Sequence, residues 1–220
     1  MKLRFDIDVA LTAVAEALSG FPKAGLFELA EEGHHTLFEV LVGCILSIRT
    51  RDEEMVQAAR RLLAVARTPA EMARLTPEEI DRQIVTCTYH ETKAVQIREI
   101  ARQIEREHGG ELPCDREILL GFAGVGPKCA NLSLGIACGQ PFIAVDVHVH
   151  RVCNRWGFVQ TRTPEQTLAA LESTIPRSHW IEINRLLMPF GKYVCLYHRP
   201  ICSTCPVLDM CQQVGVTDPR

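Results

Sequence analysis

The sequence predicts an all-α protein, and three observations carry the prediction. Apolar residues recur at helical spacing in nearly every segment. Three segments open with one start signal, a Thr cap followed by Pro at the first helical position and Glu or Gln at the third: Thr68-Pro69-Ala70-Glu71, Thr76-Pro77-Glu78-Glu79 and Thr163-Pro164-Glu165-Gln166. Strand-like alternation of useful length is almost missing, with Pro141 to Val145 the one doubtful stretch.

Taken in order, Ile7 to Leu18 places Val9, Ala10, Ala13, Val14 and Ala17 on a helical stripe, and Ser19-Gly20-Phe21-Pro22 ends it. Thr36-Leu37-Phe38-Glu39 has the form of a capping box and opens a largely apolar helix, to about Ile48, that should lie in the core. Asp52 to Val65 is amphipathic, with Met55, Val56, Ala59, Leu62 and Leu63 inward and Arg60 and Arg61 outward. Two short helices follow the first two Thr-Pro starts. Glu91 to His108 reads as a long helix burying Val95, Ile97, Ile100, Ala101 and Ile104, and Gly109-Gly110 stops it. Asp115 to Phe122, Asp146 to Trp156, Thr163 to about Thr174 and His179 to Tyr193 complete the helices.

At 220 residues the chain can bury a proper core. Its longest apolar run, Val40 to Leu46, is far too short to span a membrane, and the N-terminus acquires acidic residues early, so a soluble cytoplasmic protein is expected. The net charge of -3 and a pI of about 6.2 count against a nucleic-acid binder that works by bulk charge, yet leave room for a local basic face.

The ten cysteines divide into two groups. Cys44, Cys87, Cys114, Cys129, Cys138 and Cys153 are scattered through apolar helical segments and read as buried thiols in a reducing compartment. Cys195, Cys202, Cys205 and Cys211 form a terminal run, Cys-x6-Cys-x2-Cys-x5-Cys, that reads as a metal site. A structural zinc usually sits on two short Cys-x-x-Cys hooks, whereas this run has one hook and two wider arms. That spread favours a 4Fe-4S cluster, with one tetrahedral zinc as the alternative. Its role would be structural, since the terminal stretch holds few apolar residues: Ile201, Val207, Leu208 and Met210.

Between two helical stretches lies Phe122-Ala123-Gly124-Val125-Gly126-Pro127-Lys128, a tight hairpin. Gly124 and Gly126 tolerate positive φ and let another backbone come close. Pro127 suits the first helical position and leaves Lys128 in the first turn of a helix whose bare N-H groups suit a phosphate. This segment resembles the helix-hairpin-helix element of the endonuclease III family. Ala144-Val145-Asp146-Val147-His148 resembles that family's Asp-bearing segment, and the cysteine spacing is similar to the family's cluster loop.

The resemblance implies a two-lobed helix-hairpin-helix DNA glycosylase fold. One lobe is a helical barrel of residues 30–140, with the hairpin motif at about 115–138. The other joins 1–29 to 141–220, with the cluster loop at 195–211 and a DNA-binding groove between the lobes. It implies a bifunctional DNA glycosylase/AP lyase of base excision repair, removing oxidised pyrimidines. Lys128 is then the amine nucleophile that expels the base and leaves a Schiff base for β-elimination, and Asp146 the assisting carboxylate. Gly124, Val125 and Gly126 would hold a phosphate, His148 and Arg199 would reach DNA, and a 4Fe-4S cluster would be held by Cys195, Cys202, Cys205 and Cys211. The partner is duplex DNA with damaged bases or abasic sites, met by a monomer. Relatives that remove adenine or mismatched thymine carry Ser or Tyr at the position of Lys128. A monofunctional mismatch or alkylated-base glycosylase, and a non-catalytic iron-sulfur DNA-binding or redox-sensing module, remain the alternatives.

The chain departs from the family where the gap left by a flipped base is filled. Arg49 stands at the usual Gln position, and guanine is the natural bidentate partner for it. Thr88 is a short, polar candidate for the wedge, with Tyr89 and His90 beside it; Ala123 replaces the usual hairpin Pro. These departures predict a narrower or weaker activity that depends on the base opposite the lesion.

Overall fold

The computed structural model describes residues 2–220, and among them only helices and loops occur. The helices are α1 (Ile7–Ala17), α2 (Gly25–Glu31), α3 (Leu37–Ser47), α4 (Asp52–Val65), α5 (Pro69–Arg74), α6 (Pro77–Ile84), α7 (His90–His108), α8 (Arg116–Gly121), α9 (Pro127–Cys138), α10 (Val147–Trp156), α11 (Pro164–Thr174) and α12 (Trp180–Tyr193), with a 3-10 turn at Arg177–His179. Pro141 to Val145 forms no strand; Ile143, Ala144 and Val145 are buried as irregular chain.

The chain divides into two compact units, Gly25–Gln140 and the segment up to Ala24 together with Pro141–Arg220. In the Gly25–Gln140 unit, α3 is the centre. Ten of its eleven residues are buried, and it packs against α2, α4, α7 and α9. A helix that apolar has no solvent face of its own, so its start must be fixed locally. Thr36 accepts from the Glu39 amide while the Glu39 carboxylate accepts from the Thr36 amide, the reciprocal cap expected from the sequence. The same box closes at Thr68/Glu71 and Thr76/Glu79. Val95 is exposed, against expectation, because the inward stripe of α7 runs through Lys93, Ala94, Ile97, Ile100, Ala101 and Ile104. Helix α2 was not expected at all. No side-chain cap announces it, and the Gly25 amide donates instead to the Asp52 carboxylate, far along the chain.

The second unit is built on α1, α10 and α12, whose buried faces contribute Ala10, Leu11, Val14, Val149, Val152, Trp156, Ile183, Leu187 and Phe190. Val9 is exposed on the outer face of α1. Phe5 closes one edge, its ring centroid 5.1 Å from that of Trp156. The chain after α12 has no helix, yet Val207, Met210 and Cys211 join this core.

The expectation of six buried free thiols fails for one pair. Cys114, exposed before α8, and Cys138, in the last turn of α9, form a disulfide. Two antiparallel helices joined by a short turn bring their far ends together, a proximity that sequence distance hides. Cys44, Cys87, Cys129 and Cys153 are free and buried, as expected.

Candidate functional site

Four groups of candidate residues occur, two in each unit. In the Gly25–Gln140 unit, α8 starts on Asp115, whose carboxylate accepts from the Glu117 and Ile118 amides, and α9 starts on Gly126. The turn between them is closed by the Val125 amide donating to Phe122 O over 3.1 Å and by Gln96 Nε2 donating to Ala123 O over 2.7 Å. Gly124 has φ +76, which favours glycine, and a Cβ there would meet Gln96 Nε2 at 2.7 Å, displacing the end of that side chain from Ala123 O. Gly126 is extended (φ -99, ψ 179), and a Cβ on it would meet nothing within 4 Å. Its value is open space rather than positive φ, which corrects the expectation that both glycines serve one purpose. Val125 has a buried side chain, and its N-H donates within the turn.

Pro127 occupies the first helical position of α9, and Lys128 the second. The Lys128 ammonium is half-buried and donates to Ser47 Oγ over 3.2 Å, and Ser47 Oγ donates to Cys44 O over 2.7 Å. Cys44 Sγ lies 2.8 Å from Cys129 Sγ, on the residue after Lys128. Ser47 and the two thiols were not marked by the sequence as neighbours of Lys128. A lone Ser at the end of an apolar helix carries no signal until α9 is laid against α3.

The second group joins two loops. Arg49 and Tyr89 both adopt left-handed backbone (φ 54 and 59), and Arg49 Nη1 donates to Tyr89 Oη over 3.3 Å. Non-glycine residues rarely hold this conformation unless their surroundings enforce it. The chain on both sides of Arg49 is held by Lys93, 4 % exposed, whose ammonium donates to Leu46 O (2.8 Å), Ile48 O (2.7 Å) and Thr50 Oγ1 (3.0 Å). Burial pulls its pKa below the ordinary lysine value. Thr50 Oγ1 accepts in turn from the Thr88 amide over 3.1 Å. Thr88 is exposed but short, His90 is engaged with Asp81, and the large exposed apolar surface at this tip is the ring of Tyr89, 57 % exposed.

In the other unit, Asp146 is the N-cap of α10, accepting from the His148 and Val149 amides at 2.9 and 2.8 Å. His148 is half-buried, and burial, opposed by the Asp146 charge, holds its imidazole below the usual histidine range. Its Nδ1 accordingly accepts from Arg151 Nη2 at 3.1 Å. Arg199 is exposed in a left-handed turn (φ 47) and paired with Asp218 at 2.9 Å. An exposed pair of this kind is worth at most about 1 kcal/mol and is readily exchanged for another anion.

The fourth group is the cysteine run. Cys195, Cys202, Cys205 and Cys211 line one small cavity, of about 20 Å³, with Arg155, Trp156, Val194, Ile201 and Leu208. No group of three or more His, Cys, Asp or Glu side chains among the described residues is arranged to hold a metal ion. The four thiols share the lining of this cavity, an all-sulfur donor set of the kind that holds iron or zinc. Arg155 Nη1 stands 3.5 Å from Cys195 Sγ, and the Gln213 amide donates to Cys211 Sγ over 3.4 Å. Burial pushes the Cys205 thiol up to about 11 and moves the Cys211 thiol in the same direction.

Comparison with known proteins settles the family. Residues 42–177 match the model of the HhH-GPD superfamily base excision DNA repair proteins. The chain belongs to this family. Among curated HhH-GPD relatives, endonuclease III of Thermotoga maritima is 41% identical over 80% of this chain and 82% of its own, and endonuclease III of Escherichia coli is 36% identical over 80% and 83%. The protein of a non-covalent endonuclease III-DNA complex superposes with a TM-score of 0.82 at 30% identity, covering 94% of both chains. A thermostable thymine-DNA glycosylase, at 20% identity and a TM-score of 0.80, shares the HhH-GPD fold.

Proposed function

We infer that this chain is a bifunctional DNA glycosylase/AP lyase of base excision repair, acting on oxidised pyrimidines in duplex DNA. The family and the endonuclease III relatives support base excision. The observation that carries the bifunctional reading is Lys128, a primary amine in the first turn of α9 beside the open Gly126 backbone.

In its unprotonated form the Lys128 amine attacks C1′ of the damaged nucleotide. The N-C1′ bond forms, the glycosidic bond breaks, and the base departs with the bonding pair. Asp146 offsets the positive charge that develops on the sugar. The new ammonium loses a proton, the C1′-O4′ bond then opens with O4′ taking up a proton, and the protonated Schiff base forms; removal of a C2′ proton then breaks the C3′-O bond, and the 3′ phosphate departs with the bonding pair. The open turn at Gly124 and Gly126 lets the DNA backbone approach the start of α9, whose orphan N-H groups suit a phosphate. Arg49 and Tyr89 face the helix together, the ring filling the gap in the stack and the guanidinium reading the orphaned base. Arg199 and His148 supply further phosphate contacts.

Cys195, Cys202, Cys205 and Cys211 would hold a 4Fe-4S cluster, which when bound supplies cross-links to a terminal segment that lacks helices. In this reading, Arg155 keeps its guanidinium on the carbonyls of Leu196 and Tyr197 and fixes the path of the loop leading to Arg199.

Borohydride trapping tests the reading. An enzyme of this kind gives a covalent Lys128-DNA adduct on duplex bearing an oxidised pyrimidine or an abasic site, with strand cutting and without heat or alkali. Base release with no adduct and no cutting would mean a monofunctional glycosylase; neither would mean a binding module.

A further inference from the structure

Cys44 and Cys129 are two thiols that neither the cluster nor the chemistry above employs, and they are not spaced like ordinary core cysteines. Cys44 lies in the last turns of α3 and Cys129 in the first turn of α9, and α3 and α9 pack closely. Both are buried, at 0 % and 4 % exposure. Their sulfurs are 2.8 Å apart, so closing a bond of about 2.05 Å requires a shift of less than one ångström. We propose that Cys44 and Cys129 are an oxidisable dithiol, a peroxide-sensitive modification site whose closure to a disulfide alters the seat of Lys128.

Three features support this assignment. First, the pair is chemically poised. The hydrogen bond shared with Cys129 is the largest influence on Cys44, and together with the Lys128 charge and the Ser47 hydroxyl it outweighs burial and lowers that thiol to about 7. Cys129 is pushed the opposite way, chiefly by the same hydrogen bond. Cys44 is thus the more readily ionised sulfur of the two, and Cys129 the less. Second, the step balances with a hydroperoxide as oxidant. The Cys44 thiolate attacks a peroxide oxygen, forming the S-O bond and breaking O-O with release of hydroxide. That hydroxide takes the Cys129 proton and becomes water; the Cys129 thiolate displaces the sulfenic oxygen as hydroxide, which solvent protonates to the second water, and the S-S bond forms. Two electrons leave the two sulfurs, and hydrogen peroxide becomes two waters. A molecule of that size needs only a brief local opening between α3 and α9.

Third, the position gives the bond a consequence. Cys129 directly follows Lys128, and Ser47, which accepts from the Lys128 ammonium, donates to the carbonyl of Cys44 itself. Closure draws the first turn of α9 toward α3 and removes the thiolate charge that faces Lys128. Misplacing a reacting group by about 1 Å can cost on the order of 100-fold in rate. The consequence for activity rests on Lys128 being the nucleophile; the disulfide itself does not.

The experiment is graded hydrogen peroxide on the full-length protein as isolated, with two readouts. Differential alkylation and peptide mapping should find one new cross-linked peptide pair joining the segments that hold Cys44 and Cys129, reversed by a dithiol reductant. Single-turnover cutting of an abasic duplex should fall by roughly tenfold to 100-fold and recover on the same reduction. The variants Cys44→Ala and Cys129→Thr, each compared with its own untreated rate, should show neither cross-link nor the reversible loss. The proposal is overturned if peroxide gives no Cys44-Cys129 peptide in the native protein, if the cross-link forms with the rate unchanged, or if the variants lose rate reversibly to the same extent. A protein inactive in every state would refute the lyase reading alone, because the peptide map still decides whether the dithiol closes.

Discussion

The buried ammonium of Lys93 donates to the carbonyl of Ile48 over 2.7 Å, and in doing so it holds the residue just before Arg49. A helix C-terminus leaves carbonyls without partners, and here a lysine from α7 supplies the donor that a glycine cap usually makes unnecessary. Lys93→Met keeps the apolar stem and removes all three donors. It should lower stability by about 1–3 kcal/mol, the cost of stranding buried acceptors. It should also weaken opposite-base discrimination, because Arg49 is no longer fixed. Thermal unfolding and single-turnover rates opposite each of the four bases check both parts; an unshifted melting temperature would contradict the role given to Lys93.

Lys128→Gln should abolish borohydride trapping and strand cutting while duplex binding stays within a few fold, since the hairpin keeps its glycines and its Gln96 contact. Normal cutting by the variant would remove Lys128 from the chemistry.

Asp146 has a structural duty as well as a proposed chemical one, and two substitutions part them. Asn caps a helix about as well as Asp, so Asp146→Asn should unfold within a few tenths of a kcal/mol of native, whereas Asp146→Ala should lose about 1 kcal/mol. Both should slow single-turnover base release severely. If Asp146→Asn were fully active, capping would be the whole role of this residue.

Tyr89→Ala should reduce excision from duplex far more than cutting at an abasic site in single-stranded DNA, where no stack needs filling. Unstacking costs a few kcal/mol, and the ring is what offsets it. Thr88→Leu should change little, because Thr88 spends its amide on Thr50 and lies beside the larger ring. The opposite ranking of the two variants would return the wedge to Thr88.

Glu39 is buried, which alone would raise its pKa, but hydrogen bonds from Arg67, Thr36 and His34 together hold it below the ordinary 4.5. The folded value is thus lower than the unfolded one. Its contribution to stability is complete above pH 4.5 and is lost as pH falls from there through the folded value. Glu39→Gln should destabilise by about 1–3 kcal/mol at neutral pH and flatten this acid limb of the stability curve. Melting temperature against pH for both proteins measures it; equal acid slopes would contradict the assignment.

What could be read from the sequence was what is decided locally. Thr36, Thr68 and Thr76 meet their glutamates within one turn, so three helix starts were visible in four letters each, and so was the cysteine run. What could not be read depends on contacts across the chain. Helix α2 starts on a bond to Asp52, and Lys93 lies on an amphipathic helix where lysine ordinarily faces water. The Cys114-Cys138 bridge follows from the hairpin bringing remote ends together, and the Ser47-Lys128 contact from α3 lying against α9. Tyr89 stood behind Thr88 among the wedge candidates, because its left-handed backbone has no signature in a residue that rarely adopts it.

The division of the chain at Ala24 and Pro141 also orders events during synthesis. Gly25–Gln140 is continuous, so every residue it needs has emerged once Gln140 leaves the ribosome. The other unit is not: α1 packs on α12, His179 reaches back to Asp8, and the Lys2 ammonium donates to Leu208 O. Helix α1 must therefore wait for α12 and Leu208, made long after it, with the apolar side chains of Ala10, Leu11 and Val14 uncovered in the meantime. Truncation near residue 200 should accordingly leave a soluble, protease-resistant Gly25–Gln140 body attached to an N-terminal tail that proteases remove.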